Sequence, residues 1–120
     1  MDILDEVTEE LASMDSVVFA YLFGSYSTDE QTDESDVDIA LYLQDTSFDT
    51  QLDITYKLSK RLNKNVDIVI LNRVKNIFLL ENILKDGIIL KDSQQRFDFE
   101  LKKQHQILDF KAFKRYINAA

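Results

Sequence analysis

Val17-Val18-Phe19-Ala20-Tyr21-Leu22-Phe23 runs into Gly24-Ser25, and after ten residues, Tyr26 to Ser35, comes Asp36-Val37-Asp38-Ile39-Ala40-Leu41-Tyr42-Leu43. The first run is β-branched and aromatic and reads as a buried strand ending at Gly24. In the second, Val37, Ile39, Leu41 and Leu43 alternate with Asp38, Ala40 and Tyr42, the period of a strand with one face more apolar than the other. The stretch between them, Ser25 to Ser35, is polar and acidic and reads as a helix-like turn and loop.

Working outward, Ile3, Leu4, Val7 and Leu11 recur at helical spacing behind Asp2, a residue suited to an N-cap, so residues 2–14 are expected as an amphipathic helix. Leu52, Ile54, Leu58 and Leu62 predict a helix over 47–63, and Val66 to Leu71 a third strand. Ile77, Leu80 and Leu84 mark another helix, which Gly87 can close in a left-handed cap before a short strand from Ile88 to Leu90. Ser93 is expected to cap a last helix running to about Ile117. The sum is an α/β (α+β) domain over residues 1–120, a small mixed sheet flanked by helices with a long C-terminal helix over 92–118.

That last helix carries two apolar faces. At about 100° per residue, Phe97, Leu101, Leu108 and Ala112 fall on one side, and Phe99, Phe110, Phe113 and Ile117 nearly opposite. Either the end folds back and hides both, or one face is a surface for a protein partner or for self-association.

Composition narrows the function. The 120 residues contain no cysteine and one histidine, His105, which excludes disulfides, thiolate metal sites and a histidine-rich zinc centre. Carboxylates are left as the main metal ligands, which favours hard cations such as Mg²⁺. His105, on a helix far from the Gly-Ser and Asp-x-Asp segments, is expected at the surface or an interface. Residues 1–56 hold fifteen acidic residues and no Lys or Arg, whereas the rest holds all fourteen basic residues against seven acidic, so the halves carry −15 and +7. With a net charge of −8, duplex nucleic acid is not an expected partner. The longest apolar run, Val17 to Phe23, is far below the ~20 residues needed to cross a bilayer. No basic flank or apolar stretch marks a secretory signal at Met1, and the expected location is the cytoplasm.

The chemistry concentrates around the two opening segments. Asp36 and Asp38 are two apart at a strand start, so their carboxylates share a face, as oxygen ligands of one or two Mg²⁺ should. Asp67 opens another strand and, if that strand is a neighbour, joins them in a group that would self-repel without a cation. Gly24, without a Cβ, lets a phosphate approach the backbone, and Ser25 offers a hydroxyl and an N–H. Alone, Asp-x-Asp is more often a solvated strand end than a ligand pair, and Gly-Ser is as weak a signal, reading as a simple turn. The weight lies in their order: strand, Gly-Ser, spacer, Asp-x-Asp opening a strand, then a third Asp in a further strand.

Leu22-Phe23-Gly24-Ser25-Tyr26 followed by Asp36-Val37-Asp38-Ile39-Ala40 resembles the signature of the polymerase-β-type nucleotidyltransferase superfamily, and within it the minimal nucleotidyltransferases of the MntA-type antitoxins paired with HEPN ribonuclease toxins. Arg61-Leu62-Asn63-Lys64-Asn65-Val66-Asp67-Ile68-Val69 is similar to that family's third-carboxylate strand, and the segments from Ile77 to Tyr116 to its C-terminal portion. The resemblance implies a nucleotidyltransferase-like fold. It implies Asp36, Asp38 and Asp67 as catalytic and Mg²⁺-binding, Gly24, Ser25 and Ser35 as nucleotide-binding, and Asp67 also as a base. It implies transfer of AMP from ATP to a tyrosine of a HEPN toxin, which is thereby silenced. Many relatives carry a small-Arg-Gly run where this chain has Ser27-Thr28-Asp29, so either Mg²⁺ and residues of the second half such as Arg61, Lys64 or Arg73 make up the positive charge at the site or activity has decayed, and the intact carboxylates favour the first. Two alternatives stay open: an antitoxin acting by contact alone, and a small-molecule nucleotidyltransferase.

Overall fold

The structure is a computed structural model that describes residues 2–32 and 34–119; Asp33 of the acidic stretch lies outside the described residues. The chain order is α1 (Ile3–Ala12), β1 (Val17–Phe23), a 3-10 turn (Gly24–Ser27), β2 (Val37–Leu43), α2 (Phe48–Leu62), β3 (Val66–Ile70), α3 (Ile77–Asp86), β4 (Ile88–Lys91) and α4 (Gln94–Ala119). The four strands form one mixed sheet in the order β3-β2-β1-β4. β1 is antiparallel to both β2 and β4, and β2 is parallel to β3.

Alternation along the strands sends side chains to two cores. On one face Val17, Leu22, Val37, Ile39, Leu41 and Leu43 pack under α1 and α2, against Val7, Leu11, Ile54 and Leu58. On the other Phe19, Tyr21, Phe23 and Ala40 pack under α3 and α4, against Leu80, Ile83 and Ile107. Both faces are thus covered, so β2 is less one-sided than its Asp-Ala-Tyr positions suggest: Ala40 is fully buried, and Tyr42 stacks on Phe19 with centroids 4.9 Å apart.

Local chemistry sets the helix ends. The Asp2 carboxylate accepts the Asp5 N–H at 2.9 Å, and Ser47 and Asn76 do the same for α2 and α3. Two expected caps are corrected. Gly87 is extended (φ −68°, ψ 147°), not left-handed; the glycine is needed because a Cβ there would stand 2.3 Å from the Ile83 carbonyl oxygen. The left-handed cap belongs to Asn63, at the end of α2 (φ 52°). Ser93 precedes α4, but its Oγ makes no hydrogen bond; the Arg96 N–H instead donates to the Ser93 carbonyl at 3.1 Å. Leu52 also departs from expectation. It sits about 200° around the helix from Ile54 and joins Phe48 and Tyr56 in an exposed stripe.

α4 does not fold back. Its 26 residues span about 39 Å in a molecule whose long axis is 51 Å. Ile107 and Phe99 face the sheet, and Phe110 packs edge-on against Phe78. Phe97, Leu101 and Leu108 stay exposed along the opposite stripe, as do Phe113, Tyr116 and Ile117 near the end. The helix is held by a polar anchor: the buried Tyr21 hydroxyl donates to Glu100, which Arg96 also engages at 2.9 Å. Burial and the Glu100 carboxylate push the Tyr21 hydroxyl well above its ordinary pKa. His105 is exposed, as expected.

Candidate active site

Asp36, Asp38 and Asp67 occupy the ends of two adjacent strands. In the parallel β2–β3 register Asp38 stands opposite Asp67, with Val37 opposite Val66, and the Val37 N–H donates to the Asn65 carbonyl at 3.0 Å. Because Val37, Ile39, Val66 and Ile68 point to the α1/α2 core, the alternate residues Asp36, Asp38 and Asp67 point to the other face, beside Phe23, the β1 partner of Asp38. α3 and α4 lie over β1, leaving the β2–β3 part of this face less covered, and Asp36 and Asp67 are exposed.

Asp38 is the half-buried member. Burial raises its pKa above the ordinary carboxylate value, and the negative charges of Asp67 and then Asp36 add to the rise. Its carboxylate also explains Gly24. That residue has φ +73°, and a Cβ on it would lie 2.2 Å from Asp38 Oδ2. Only glycine fits both the left-handed backbone and this approach.

From Gly24 the chain enters its 3-10 turn, fastened by Ser27 Oγ donating to the Gly24 carbonyl at 2.9 Å and the Glu30 N–H donating to the Ser25 carbonyl at 3.0 Å. Among the described residues the Ser25 hydroxyl has no hydrogen-bond partner, and Ser25 directly follows Gly24 in the turn. Ser35 differs: its Oγ accepts the Thr32 N–H at 2.8 Å and so closes the loop before Asp36. Asp29 takes a left-handed backbone (φ 60°) within the loop that follows the turn.

The three carboxylates suit a hard divalent cation in kind. They are hard oxygen donors on one face, with a mutual repulsion at Asp38 that a cation relieves. Among the described residues, no three His, Cys, Asp or Glu side chains close around a common point. The expected sources of positive charge are corrected in part. Arg61 bridges α2 to α1 through Glu9 at 2.6 Å and Glu10 at 3.0 Å, on the opposite face of the sheet, so charge asymmetry in the sequence becomes pairing within the fold. Arg73 donates to the Thr46 carbonyl at the far end of β2. Lys64 lines a cleft of about 600 Å³ with Tyr26, Asp29 and Thr32 beside the loop.

Sequence reasoning missed a second cleft, of about 340 Å³, on the same sheet face as the carboxylates. Tyr42, Asn72, Phe99 and Lys103 line it, and it lies four residues, or about 13 Å, along β2 from Asp38. Its only sequence signal is that Tyr42 shares the alternation of Asp38 and Ala40. Asn72 extends the ladder there, pairing through its side-chain amide with both the N–H and the carbonyl of Leu43 at 2.9 Å.

Known proteins share this sequence pattern and this fold. The family described as polymerase β nucleotidyltransferase matches residues 5–96. A candidate protein adenylyltransferase of Methanocaldococcus jannaschii is 31% identical over 90 residues, covering 74% of this chain and 92% of the relative. In structure, the chain is similar to one in a toxin–antitoxin complex crystallised with AMP-PNP, at 27% identity and a TM-score of 0.78 over 97% of this chain and 95% of that one. It is also similar to a chain in the complex of a tri-AMPylated Shewanella oneidensis HEPN toxin with its MNT antitoxin, at 25% identity and a TM-score of 0.71 over 98% and 93%. No described helix is long and apolar enough to cross a membrane.

Proposed function

Because this chain belongs to the polymerase β nucleotidyltransferase family, we propose that it is an antitoxin adenylyltransferase that moves AMP from ATP to a tyrosine hydroxyl of a partner HEPN ribonuclease toxin, in the cytoplasm. The observation that carries the reading is the registered pair Asp38 and Asp67, with Asp36 on the same face and Gly24 packed against Asp38. The relatives support the acceptor and donor classes, since one is named for protein adenylylation and others were crystallised with AMP-PNP or with an AMPylated toxin.

Asp36, Asp38 and Asp67 would hold Mg²⁺, which when bound neutralises charge on the phosphoryl oxygens and favours the ionised acceptor hydroxyl. The chain's own residues do the rest. The Gly24 backbone and the Ser25 N–H and hydroxyl take phosphate oxygens, orienting the α-phosphorus toward the carboxylates. The tyrosine oxygen attacks that phosphorus, its bond to the bridging oxygen breaks, pyrophosphate leaves, and Asp67 accepts the tyrosine proton. Ser35 supports nucleotide binding by fixing the loop that leads into Asp36. Residues 1–120 act as one nucleotidyltransferase domain, and α4 presents the contact surface to the toxin.

The test is to purify the chain with a co-encoded HEPN protein, add ATP and Mg²⁺, and weigh the intact partner. One or more added AMP units supports transfer. A partner that is silenced at unchanged mass favours a second reading, inhibition by contact alone, which the exposed Phe97, Leu101 and Leu108 stripe of α4 supports.

A further inference from the structure

The geometry points to the outer edge of β3 as the docking site for an extended, tyrosine-bearing segment of the acceptor protein, which adds to the sheet as a fifth strand beside Asp67. This rests on the transfer reading above and adds how the acceptor is held.

β3 ends the sheet, and its free edge can be read atom by atom. The Asn65 carbonyl accepts from Val37, so the N–H across the same planar peptide, that of Val66, points outward. The Leu71 N–H donates to the Leu41 carbonyl, so the Ile70 carbonyl also points outward, where the Arg73 N–H takes it at 3.1 Å. By the two-residue period, the N–H and carbonyl of Ile68 point outward between them.

The two edges of the sheet differ in protection. β4 has four residues, meets β1 through a bulge between Ala20 and Tyr21, and ends in Lys91, whose Nζ is drawn to the Leu11 and Met14 carbonyls at 3.0 and 2.9 Å. Those are the features that blunt an edge. β3 has none of them. It pairs in unbroken register, contains neither proline nor lysine, and its one charge, Asp67, points to the site face. An open edge of this kind binds extended peptides through main-chain hydrogen bonds.

Adding a strand there has a chemical consequence. A residue opposite Asp67 in the incoming strand has its Cβ about 5 Å from that of Asp67 and on the same face. Its side chain therefore stands beside the carboxylates, where an acceptor hydroxyl must be. Charge selects the occupant. A second copy paired edge to edge would bring another Asp67 to a face already holding three carboxylates, on a chain of net charge −8. A neutral tyrosine flanked by Lys or Arg meets no such opposition.

Ile68→Pro removes the outward N–H without touching the ladder to β2, a position where an edge strand tolerates proline. With a co-encoded HEPN protein as acceptor, we expect Ile68→Pro to keep AMP-PNP binding and lose AMP transfer by about tenfold or more, the scale of one forfeited main-chain hydrogen bond. Ile68→Val, which keeps the N–H, should transfer at the wild-type rate. Amide exchange on the wild-type chain serves if the proline variant does not fold: adding the HEPN protein and AMP-PNP should slow exchange at Val66 and Ile68. Wild-type transfer by Ile68→Pro, or unchanged exchange at both amides, overturns the proposal. A wild-type chain that never modifies the partner while these amides become protected would instead refute the transfer reading and keep the docking site.

Discussion

Replacing Gly24 with alanine tests the construction of the site at its tightest point. Two independent costs apply. An L residue at φ +73° loses about 1 kcal/mol relative to glycine. The new Cβ, 2.2 Å from Asp38 Oδ2, must also push the Asp38 side chain off its rotamer or shift the strand. That displacement costs about 1 kcal/mol more, since swinging the carboxylate toward water returns some of its solvation. A loss of about 2 kcal/mol corresponds to a fall of roughly 8 °C in the unfolding midpoint of a chain this size.

A double-mutant cycle separates the two costs. In an Asp38→Ala background the carboxylate is gone, so Gly24→Ala should cost only the backbone part, and the coupling should be about 1 kcal/mol. Urea unfolding of the four proteins, metal-free at pH 7, gives all the numbers. AMP transfer by Gly24→Ala should fall further than its stability does, because the displaced group is Asp38 itself. An equal cost of Gly24→Ala in both backgrounds would refute the argument that Asp38 is what requires glycine. A negligible cost in either would refute the left-handed backbone as well.

Asp38→Asn should raise metal-free stability at pH 7, and the gain should shrink as pH falls through the carboxylate range. The sign follows from a folded-state pKa that is raised: the penalty on the ionised form is fully present above that pKa and gone below the unfolded value, 3.8. Thermal melts from pH 3 to 8 check this, and a gain that grows toward low pH would reverse the assignment. Adding Asp36→Asn to Asp38→Asn should abolish Mg²⁺-dependent AMP transfer while leaving the fold intact, read as partner mass beside a melting curve. Tyr21→Phe should lower stability by about 1.5 kcal/mol by removing a donor to a charged carboxylate, measured by urea unfolding. Phe113→Glu lies on an exposed part of α4, so its melting midpoint should match wild type. Co-purification with the HEPN partner should nevertheless weaken by tenfold or more, as for a lost interface anchor of about 2 kcal/mol.

Most of the element order was legible because it is encoded locally. β1 and β2 begin and end at the expected residues, since Gly24 stops one and the period of two marks the other. Asp2 caps α1 for the same reason: an Asp three residues before a free N–H is a local arrangement. What the sequence concealed depends on approach through space. Gly87 is a glycine because the Ile83 carbonyl crowds it, which no neighbour in the chain announces, and a glycine after a helix looks the same whether it turns left-handed or merely makes room. Arg61 reads as charge available to a phosphate until α1 is seen to present Glu9 and Glu10 to it.

The site shows the same division. The Asp-x-Asp spacing puts Asp36 and Asp38 on one face in any strand, so that half of the site was legible. Asp67 joins them only because β3 lies parallel to β2 in the register that sets Asp38 against it; a shift of one residue would turn Asp67 into the α1/α2 core. That register is held from both ends, by Val66 and Ile68 packing into that core and by Asn72 clasping Leu43. The apolar residues that flank Asp67 therefore have two consequences in one strand. Their side chains lock the carboxylate onto the face it shares with Asp36 and Asp38, and their backbone groups, turned away from β2, leave beside it an edge on which another chain can align.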